Sequence, residues 1–238
     1  MAPLKINVVP DPEYRAGGSK VVSDPLGSEM RAASFRDALV MLARDQMYSS
    51  IGRSPHGGNG RYGLDKGQEW CGAFVHWVYA RTAATLGANN PFGEQVGTLA
   101  SPQKAIGWAL HNTNLATIIR YQGSDPYGWS WGPGAKADKT ALTQDFIDIS
   151  ATNPVQMGDI ALLRKTDNPK DGWKHVCMVV DPPAVGKDDF TTIDGNQTGA
   201  WRPEGASNEC IGMNSHNAND RMPDGKSYQW VFLHMTTV

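Results

Sequence analysis

The sequence predicts an α+β domain in which helices precede an antiparallel β-sheet along the chain. Three observations predict this class. Apolar residues recur at helical spacing early in the chain, short β-branched runs bounded by glycine and proline dominate after residue 154, and no internal repeat is evident. The 238 residues suit one large domain, since typical domains hold about 100–200 residues. We interpret residues 1–29 as an extended N-terminal arm and residues 30–238 as a single domain with insertions at about 87–153 and 197–226.

Helical spacing occurs in three stretches. The apolar residues within 30–47 predict a first helix with Ser34 as its N-cap. From Cys71 to about Leu86, apolar residues fall at steps of three and four, so one face of a second helix should pack inward. Residues 101–111 predict a third helix, and the run ATIIRYQ that follows is typical of a short strand.

Strand patterns dominate the last third of the chain. Short apolar or alternating segments end at glycine or proline, and they read DIALLRK, HVCMVVD, DFTTIDGN and YQWVFLHM. Residues 197–227 are interpreted as one long loop with its own turns. Loops of that length are uncommon in compact domains unless they are functional.

Composition excludes several classes of function. The chain is 40% hydrophobic and 19% charged, with a net charge of −2 and a pI of about 6.3. That balance does not favour nucleic acid as a partner. The longest clean apolar run, ALVMLA, is far shorter than the roughly 20 residues of a membrane-spanning helix. No Sec-type signal is apparent, so we expect synthesis in the cytoplasm and no membrane insertion.

The cysteine pattern argues against a structural scaffold of disulfides or zinc. Cys71, Cys177 and Cys210 are widely spaced, and no CxxC pair is present. A single Cys177–Cys210 bridge stays open as an alternative to two small buried residues. No metal or cofactor is expected.

The stretch GQEWCGAFVHW places Cys71 where the second helix begins. A thiol attacks as the thiolate, which a helix N-terminus and a neighbouring imidazole both favour. Among the six histidines, His175 is the best partner because it opens a predicted strand directly after the turn-like KDGWK. If the strands HVCMVVD and DFTTIDGN pair as antiparallel neighbours, His175 lies beside Asp194 or Asn196, either of which could orient its ring.

The segments EWCGAFVHWVY, VQMGDIALL, HVCMVVD and TIDGNQ, in that order, resemble the core motifs of the papain-like peptidoglycan hydrolases, the CHAP and NlpC/P60 cysteine amidases and peptidases. The resemblance implies a nucleophile helix packed on an antiparallel sheet of about four to six strands. It implies Cys71 as nucleophile, His175 as base and Asp194 as orienting residue, with Asn196 at a second polar position. The turn at Gly158–Asp159 would be structural. Two departures are a long spacing between Cys71 and His175 and an Asp where CHAP domains more commonly have Glu.

Four aromatic residues are candidates for contacts with the substrate. Tyr62 resembles a tyrosine found upstream of the cysteine in these families, where it could assist the oxyanion, and packing is its alternative role. Trp70 is predicted to form a wall of the cleft or part of the core. Trp129 and Trp131 could stack on sugar rings, or they could pin their long loop to the body of the domain.

The resemblance implies hydrolysis of peptidoglycan amide bonds, either within the stem peptide or at the N-acetylmuramoyl-L-alanine linkage. We expect an antibacterial effector that acts in the cell wall or periplasm, with an immunity protein and a secretion-machine component as partners. Alternatives are a phage endolysin of the same chemistry and a non-catalytic wall-binding module. A metal hydrolase that uses His175, Asp194 and a cysteine lacks any short ligand spacing such as HExxH.

Overall fold

The computed structural model describes residues 4–6, 30–32, 34–48, 62, 70–94, 96–120, 146–152, 154–165, 173–184, 186–197, 210–218 and 228–236. They form an α+β fold, as predicted. Three α-helices, α1 (Phe35–Tyr48), α2 (Cys71–Leu86) and α3 (Pro102–His111), accompany a short 3₁₀ turn at Val96–Thr98. None of the helices in these ranges is long and apolar enough to cross a membrane.

The predicted N-cap of α1 is confirmed. The Ser34 hydroxyl accepts a hydrogen bond from the Asp37 backbone N–H at 3.1 Å, as an N-cap does. Residues 30–32, which precede this cap, form a strand β2 (Met30–Ala32) that pairs with β1 (Leu4–Ile6) in a separate antiparallel ribbon. Helix α2 begins at Cys71 and ends at Leu86, as predicted.

The main sheet has seven strands. They are β3 (Ala116–Arg120), β4 (Phe146–Asp148), β5 (Ile160–Lys165), β6 (Trp173–Asp181), β7 (Asp189–Gln197), β8 (Cys210–Asn217) and β9 (Tyr228–Met235). Their spatial order is β4-β3-β9-β5-β6-β7-β8, and every neighbouring pair is antiparallel except β3 and β4. The six antiparallel strands agree with the expected sheet, and β4 adds a seventh.

The interpretation of residues 197–227 as one long loop is wrong. Cys210–Asn217 forms the edge strand β8, which pairs with β7 from Asp189 to Gln197. The pattern was hidden because this strand carries as many polar residues as apolar ones, as an edge strand does when one face meets water.

Both faces of the sheet are buried. Helices α1 and α2 cover one face, where Leu39, Phe74 and Val78 pack against apolar strand residues such as Met178 and Leu233. A second cluster on the alternate strand positions includes Ala161, Cys177, Val179, Phe190 and Phe232. Continuous burial explains why β5 and β6 read as nearly unbroken apolar runs.

The Cys177–Cys210 bridge does not form, and neither residue is in a disulfide. Cys177 lies in β6 and Cys210 in β8, with β7 between them. Strands are spaced about 4.8 Å apart, so two strand spacings exceed the roughly 7 Å that a disulfide allows between Cα atoms.

The Gly158–Asp159 turn fastens the helices to the sheet. The Tyr79 hydroxyl on α2 donates to the Gly158 carbonyl at 2.6 Å. The buried Asp159 carboxylate accepts from Arg36 on α1 at 2.6 Å and lies 3.0 Å from Nδ1 of His234 on β9. Arg36 also donates to the Met157 carbonyl. These contacts fix α1, α2 and β9 around one turn, in agreement with the structural role expected for it.

Candidate functional site

Cys71 occupies the first turn of α2, and its side chain lies in the larger core with a residue exposure of 6%. The N-cap residue is Trp70, whose side chain makes no capping hydrogen bond. The first N–H groups of a helix have no intrahelical partner, so this end keeps donors available. Gly72 is required here, because a Cβ at this position would lie 1.6 Å from the Leu99 carbonyl oxygen.

The pairing of β6 with β7 brings His175 to Asp194. The strands are antiparallel, with Met178 opposite Ile193 and Val179 opposite Thr192. Beyond the last of these pairs the contact is diagonal, and Nε2 of His175 lies 3.4 Å from Oδ2 of Asp194. The Asp194 side chain is 1% exposed and that of His175 is 14% exposed. The predicted neighbourhood of His175 and Asp194 is therefore present.

Gly195 allows β7 to approach the start of α2. A Cβ at this position would lie 2.7 Å from the ring of Trp70 and 2.9 Å from Cβ of Phe74. Those distances are too short for any side chain, so a glycine is needed between Asp194 and Asn196. The close approach places Asp194 on a strand that lies against the helix carrying Cys71.

His175 interacts with both Cys71 and Asp194. Burial by itself lowers the pKa of His175, but hydrogen bonds to Asp194 and Cys71, together with the negative charges of both, raise it to about 10. The imidazole therefore favours its charged form at neutral pH. Cys71, His175 and Asp194 form one connected series of thiol, imidazole and carboxylate.

The Asp194 carboxylate is held in its ionised form although it is buried. Burial alone would raise the pKa of Asp194, but the hydrogen bond and positive charge of His175 outweigh it and hold that pKa below its ordinary value. The side-chain amide of Asn214 on β8 donates to the same oxygen, Oδ2, that faces His175. Asn214 was not predicted, because its strand was interpreted as a loop.

Cys177 lies on the same strand as His175 and is fully buried. Burial, and then the charge of Asp194, raise the pKa of this thiol well above its ordinary value. The thiol makes a long hydrogen bond of 3.5 Å to the Ala161 carbonyl. A ring nitrogen of His175, Sγ of Cys177 and a carboxylate oxygen of Asp194 all lie within 4.8 Å of one another, so these three residues could hold a metal ion.

The remaining residues predicted for the site do not join Cys71, His175 and Asp194 in one arrangement. The Tyr62 ring stacks on Trp70 with centroids 5.4 Å apart, and both side chains are 1% exposed, so both are core residues behind Cys71. Asn196 has a positive φ of 60° and follows an irregular register between Asp194 and Gln197. Simple strand alternation, which had placed Asn196 on the face of Asp194, is therefore interrupted there. Trp129 and Trp131 lie outside the described residues.

Two grooves lie near this region, and neither is lined by Cys71, His175 or Asp194. One of about 770 Å³ lies between the end of α1 and strands β7 and β8, and its lining includes Arg44, Thr191 and Asn214. Another of about 690 Å³ follows α2, and its lining includes Tyr62 and Trp77. Asn214, which lines the first groove, donates a hydrogen bond to Asp194, and Tyr62, which lines the second, stacks on Trp70 next to Cys71.

Comparison with known proteins gives no match: no family model, no curated protein and no solved structure is similar to this chain.

Proposed function

We propose that this protein is a papain-like cysteine hydrolase that cleaves amide bonds of peptidoglycan. The observation that carries the proposal is the series Cys71–His175–Asp194, with the thiol at a helix N-terminus and the carboxylate buried behind the imidazole. A nucleophile, a base and an orienting group in sequence are the parts that acyl transfer requires. The substrate class rests on the four segments that resemble the peptidoglycan hydrolases.

The first step is attack of the Cys71 thiolate on the substrate carbonyl carbon. The charged form of His175, favoured by Asp194, is the natural counterion of that thiolate. The tetrahedral intermediate carries its negative charge on the former carbonyl oxygen. Backbone N–H groups at the start of α2 are suited to receive that oxygen, since the first N–H groups of a helix have no intrahelical partner.

The second step is collapse of the intermediate. The C–N bond breaks as His175 gives its proton to the leaving amine, and the acyl group stays on Cys71 as a thioester. Neutral His175 then takes a proton from water, whose oxygen attacks the thioester and releases the carboxylic acid. Asp194 keeps the imidazole oriented in both steps, and Asn214 fixes the carboxylate.

The biological setting is proposed from the sequence resemblance. We infer an antibacterial effector that reaches the cell wall or periplasm through a secretion machine and is neutralised in the producing cell by an immunity protein. A phage endolysin with the same chemistry is the alternative. A neighbouring gene for a small exported inhibitor would favour the effector, and a neighbouring holin gene would favour the endolysin.

The experiment is hydrolysis of purified sacculi by the protein and by its Cys71→Ala variant, followed as release of amino groups and soluble peptides. We expect the variant to retain its fold and to lose all detectable release. Cys210→Ala is the matched control, since Cys210 is an equally buried thiol in the edge strand β8. Undiminished release by Cys71→Ala would refute the proposed nucleophile.

A further inference from the structure

We propose that a single zinc ion binds between His175, Cys177 and Asp194 and that bound zinc switches the enzyme off. The inhibitory half of this proposal rests on the proposed function, whereas the binding half does not. The geometric basis is that one potential ligand atom from each residue lies within 4.8 Å of the other two. Imidazole nitrogen, thiolate sulfur and carboxylate oxygen are the three ligand types that zinc takes in proteins.

The separations fit zinc after small side-chain adjustments. Ligand atoms of a tetrahedral zinc lie about 3.3–3.8 Å apart when zinc–nitrogen and zinc–sulfur distances are about 2.0–2.3 Å. His175 Nε2 and Asp194 Oδ2 are already 3.4 Å apart. Because all three residues stand on the paired strands β6 and β7, the backbone holds them at this spacing without the ion.

The surroundings favour a cation at this point. Oδ1 of Asp194 is buried and accepts no hydrogen bond from any residue that the structure describes. A buried carboxylate oxygen without a donor is costly, and a zinc ion held by both oxygens of Asp194, Oδ2 beside His175 and Oδ1, would satisfy it. When it becomes a ligand, the Cys177 thiol gives up its long 3.5 Å hydrogen bond to the Ala161 carbonyl, together with its side-chain interactions with Thr192 and Asp194.

Charge balance also favours a doubly charged ion. A Cys177 thiolate and an Asp194 carboxylate carry two negative charges, which one Zn²⁺ cancels, so the buried site becomes neutral. The partly exposed His175 offers the side from which the ion enters. The fourth position is left for water.

Binding exchanges protons for metal. Zn²⁺ enters, the Cys177 thiol loses its proton to the buffer, and the His175 imidazolium loses one more, so two protons leave for each ion bound. Once one ring nitrogen coordinates zinc, the imidazole can hold a proton on the other nitrogen alone, so the imidazolium that gives a proton to the leaving amine can no longer form. Zinc occupancy would therefore remove the acid–base function of His175 without any change in Cys71.

The test is calorimetric titration of the full chain with Zn²⁺, together with a spectroscopic titration in which Co²⁺ replaces Zn²⁺. Both titrations are done on wild type and on four variants: Cys177→Ala, Cys177→Ser, Cys71→Ala and Cys210→Ala. We expect one ion per wild-type chain and a thiolate-to-cobalt charge-transfer band. Zinc binding and the cobalt charge-transfer band should both be retained in Cys210→Ala and Cys71→Ala. Both Cys177 variants should lose the band and bind zinc about 100-fold more weakly, since even second-shell partners of a metal are worth about 10–100-fold in affinity. The serine variant keeps the volume of Cys177, so it separates loss of the ligand from loss of the fold.

Equal zinc affinity in the folded Cys177 variants and in wild type would overturn the site, as would loss of binding in Cys210→Ala. Loss of binding in Cys71→Ala with retention in the Cys177 variants would overturn it as well. For the inhibitory half, hydrolysis of sacculi should stop at saturating zinc and return with EDTA, and whatever activity Cys177→Ser keeps should no longer fall with zinc. Activity that EDTA abolishes and zinc restores would overturn the inhibitory assignment. Zinc binding in a chain that hydrolyses nothing would refute the proposed function alone.

Discussion

Two histidine–aspartate pairs lie in this sheet, and their surroundings differ in one decisive way. Asp159 is bonded to Arg36 at 2.6 Å and to His234 at 3.0 Å. For Asp194, the ion-pair partner recorded among the described residues is His175, at 3.4 Å. Arg36 places a fixed positive charge beside Asp159. Asp194 is held ionised chiefly by the hydrogen bond and positive charge of His175, with smaller contributions from His216 and Thr192.

The comparison teaches that a histidine beside a buried carboxylate is not by itself a sign of catalysis. The Asp159 group holds a turn to two helices and the last strand. The Asp194 group adds a thiol at a helix start. Within the part of the chain that the structure describes, an arginine accompanies the first pair and not the second, and we propose that the second pair serves in proton transfer.

The largest expected effect is a loss of activity on replacing His175 that does not occur on replacing His234. His175→Ala should lower kcat/KM on soluble muropeptides by about 100- to 10,000-fold, the usual contribution of general acid–base catalysis. His234→Ala should leave kcat/KM near the wild-type value, because its ring contacts the structural carboxylate. Both variants are assayed well below their melting temperatures. Equal losses in the two variants would erase the proposed distinction.

The free energy of unfolding should depend strongly on the Asp159 group, which is not expected to affect activity. Arg36→Leu leaves the fully buried Asp159 without its arginine, and removing one partner of a buried ion pair costs about 3–5 kcal/mol in free energy of unfolding. Arg44→Leu, two turns along the same helix at an exposed position, should change that free energy by less than about 0.5 kcal/mol. Urea denaturation measures both values, and a similar small effect in each would contradict the structural role of Asp159.

The pH profile should respond to Asp194. The pKa of His175 is raised to about 10, so the protonated ring stabilises the fold at neutral pH and this contribution is lost as pH rises through about 10. The alkaline limb of kcat/KM should fall in the same range. In Asp194→Asn the opposite charge is gone, so the limb should move to lower pH by about one unit or more. An unmoved limb in a folded variant would show that Asp194 does not act through His175.

The smallest effect is expected at Asn214, which positions Asp194. Asn214→Ala should lower kcat about tenfold, since a hydrogen bond to a charged group is worth about 1.5–3 kcal/mol, and it should also shift the alkaline limb. Asn217→Ala is the matched control, because Asn217 stands on the same strand and donates a comparable bond to the exposed Asp189. If the two variants have the same kcat and the same pH profile, Asn214 has only a structural role.

Local pattern predicted the parts of the fold that local forces determine. Helix α2 was placed correctly because its apolar spacing begins at Cys71 and stops before Gly87, which adopts a left-handed C-cap. Strands β5, β6 and β9 were found because burial on both faces makes them strongly apolar, and β7 was found from its alternating pattern and the glycine at its end. The edge strand β8 and the three-residue β4 were missed, since pairing with distant segments stabilises them more than their own sequence does.

The site could be predicted only as far as strand pairing could. An antiparallel turn from β6 to β7 is short, so the approach of His175 to Asp194 followed from the sequence. The choice between Asp194 and Asn196 did not, because a positive φ at Asn196 interrupts the alternation. Asn214 depends on β8, and Cys177 acquires its surroundings only when β6, β7 and the core behind them meet.

The most direct test of the central claim is the proton on His175 itself. Titration of the histidine side chains by NMR, with His175→Ala used to assign the signal, measures the pKa of His175 in the intact chain. The structure predicts a ring that stays protonated through neutral pH and titrates near 10. A ring that titrates at about 6.5, the ordinary value for histidine, would contradict the proposed thiolate–imidazolium pair.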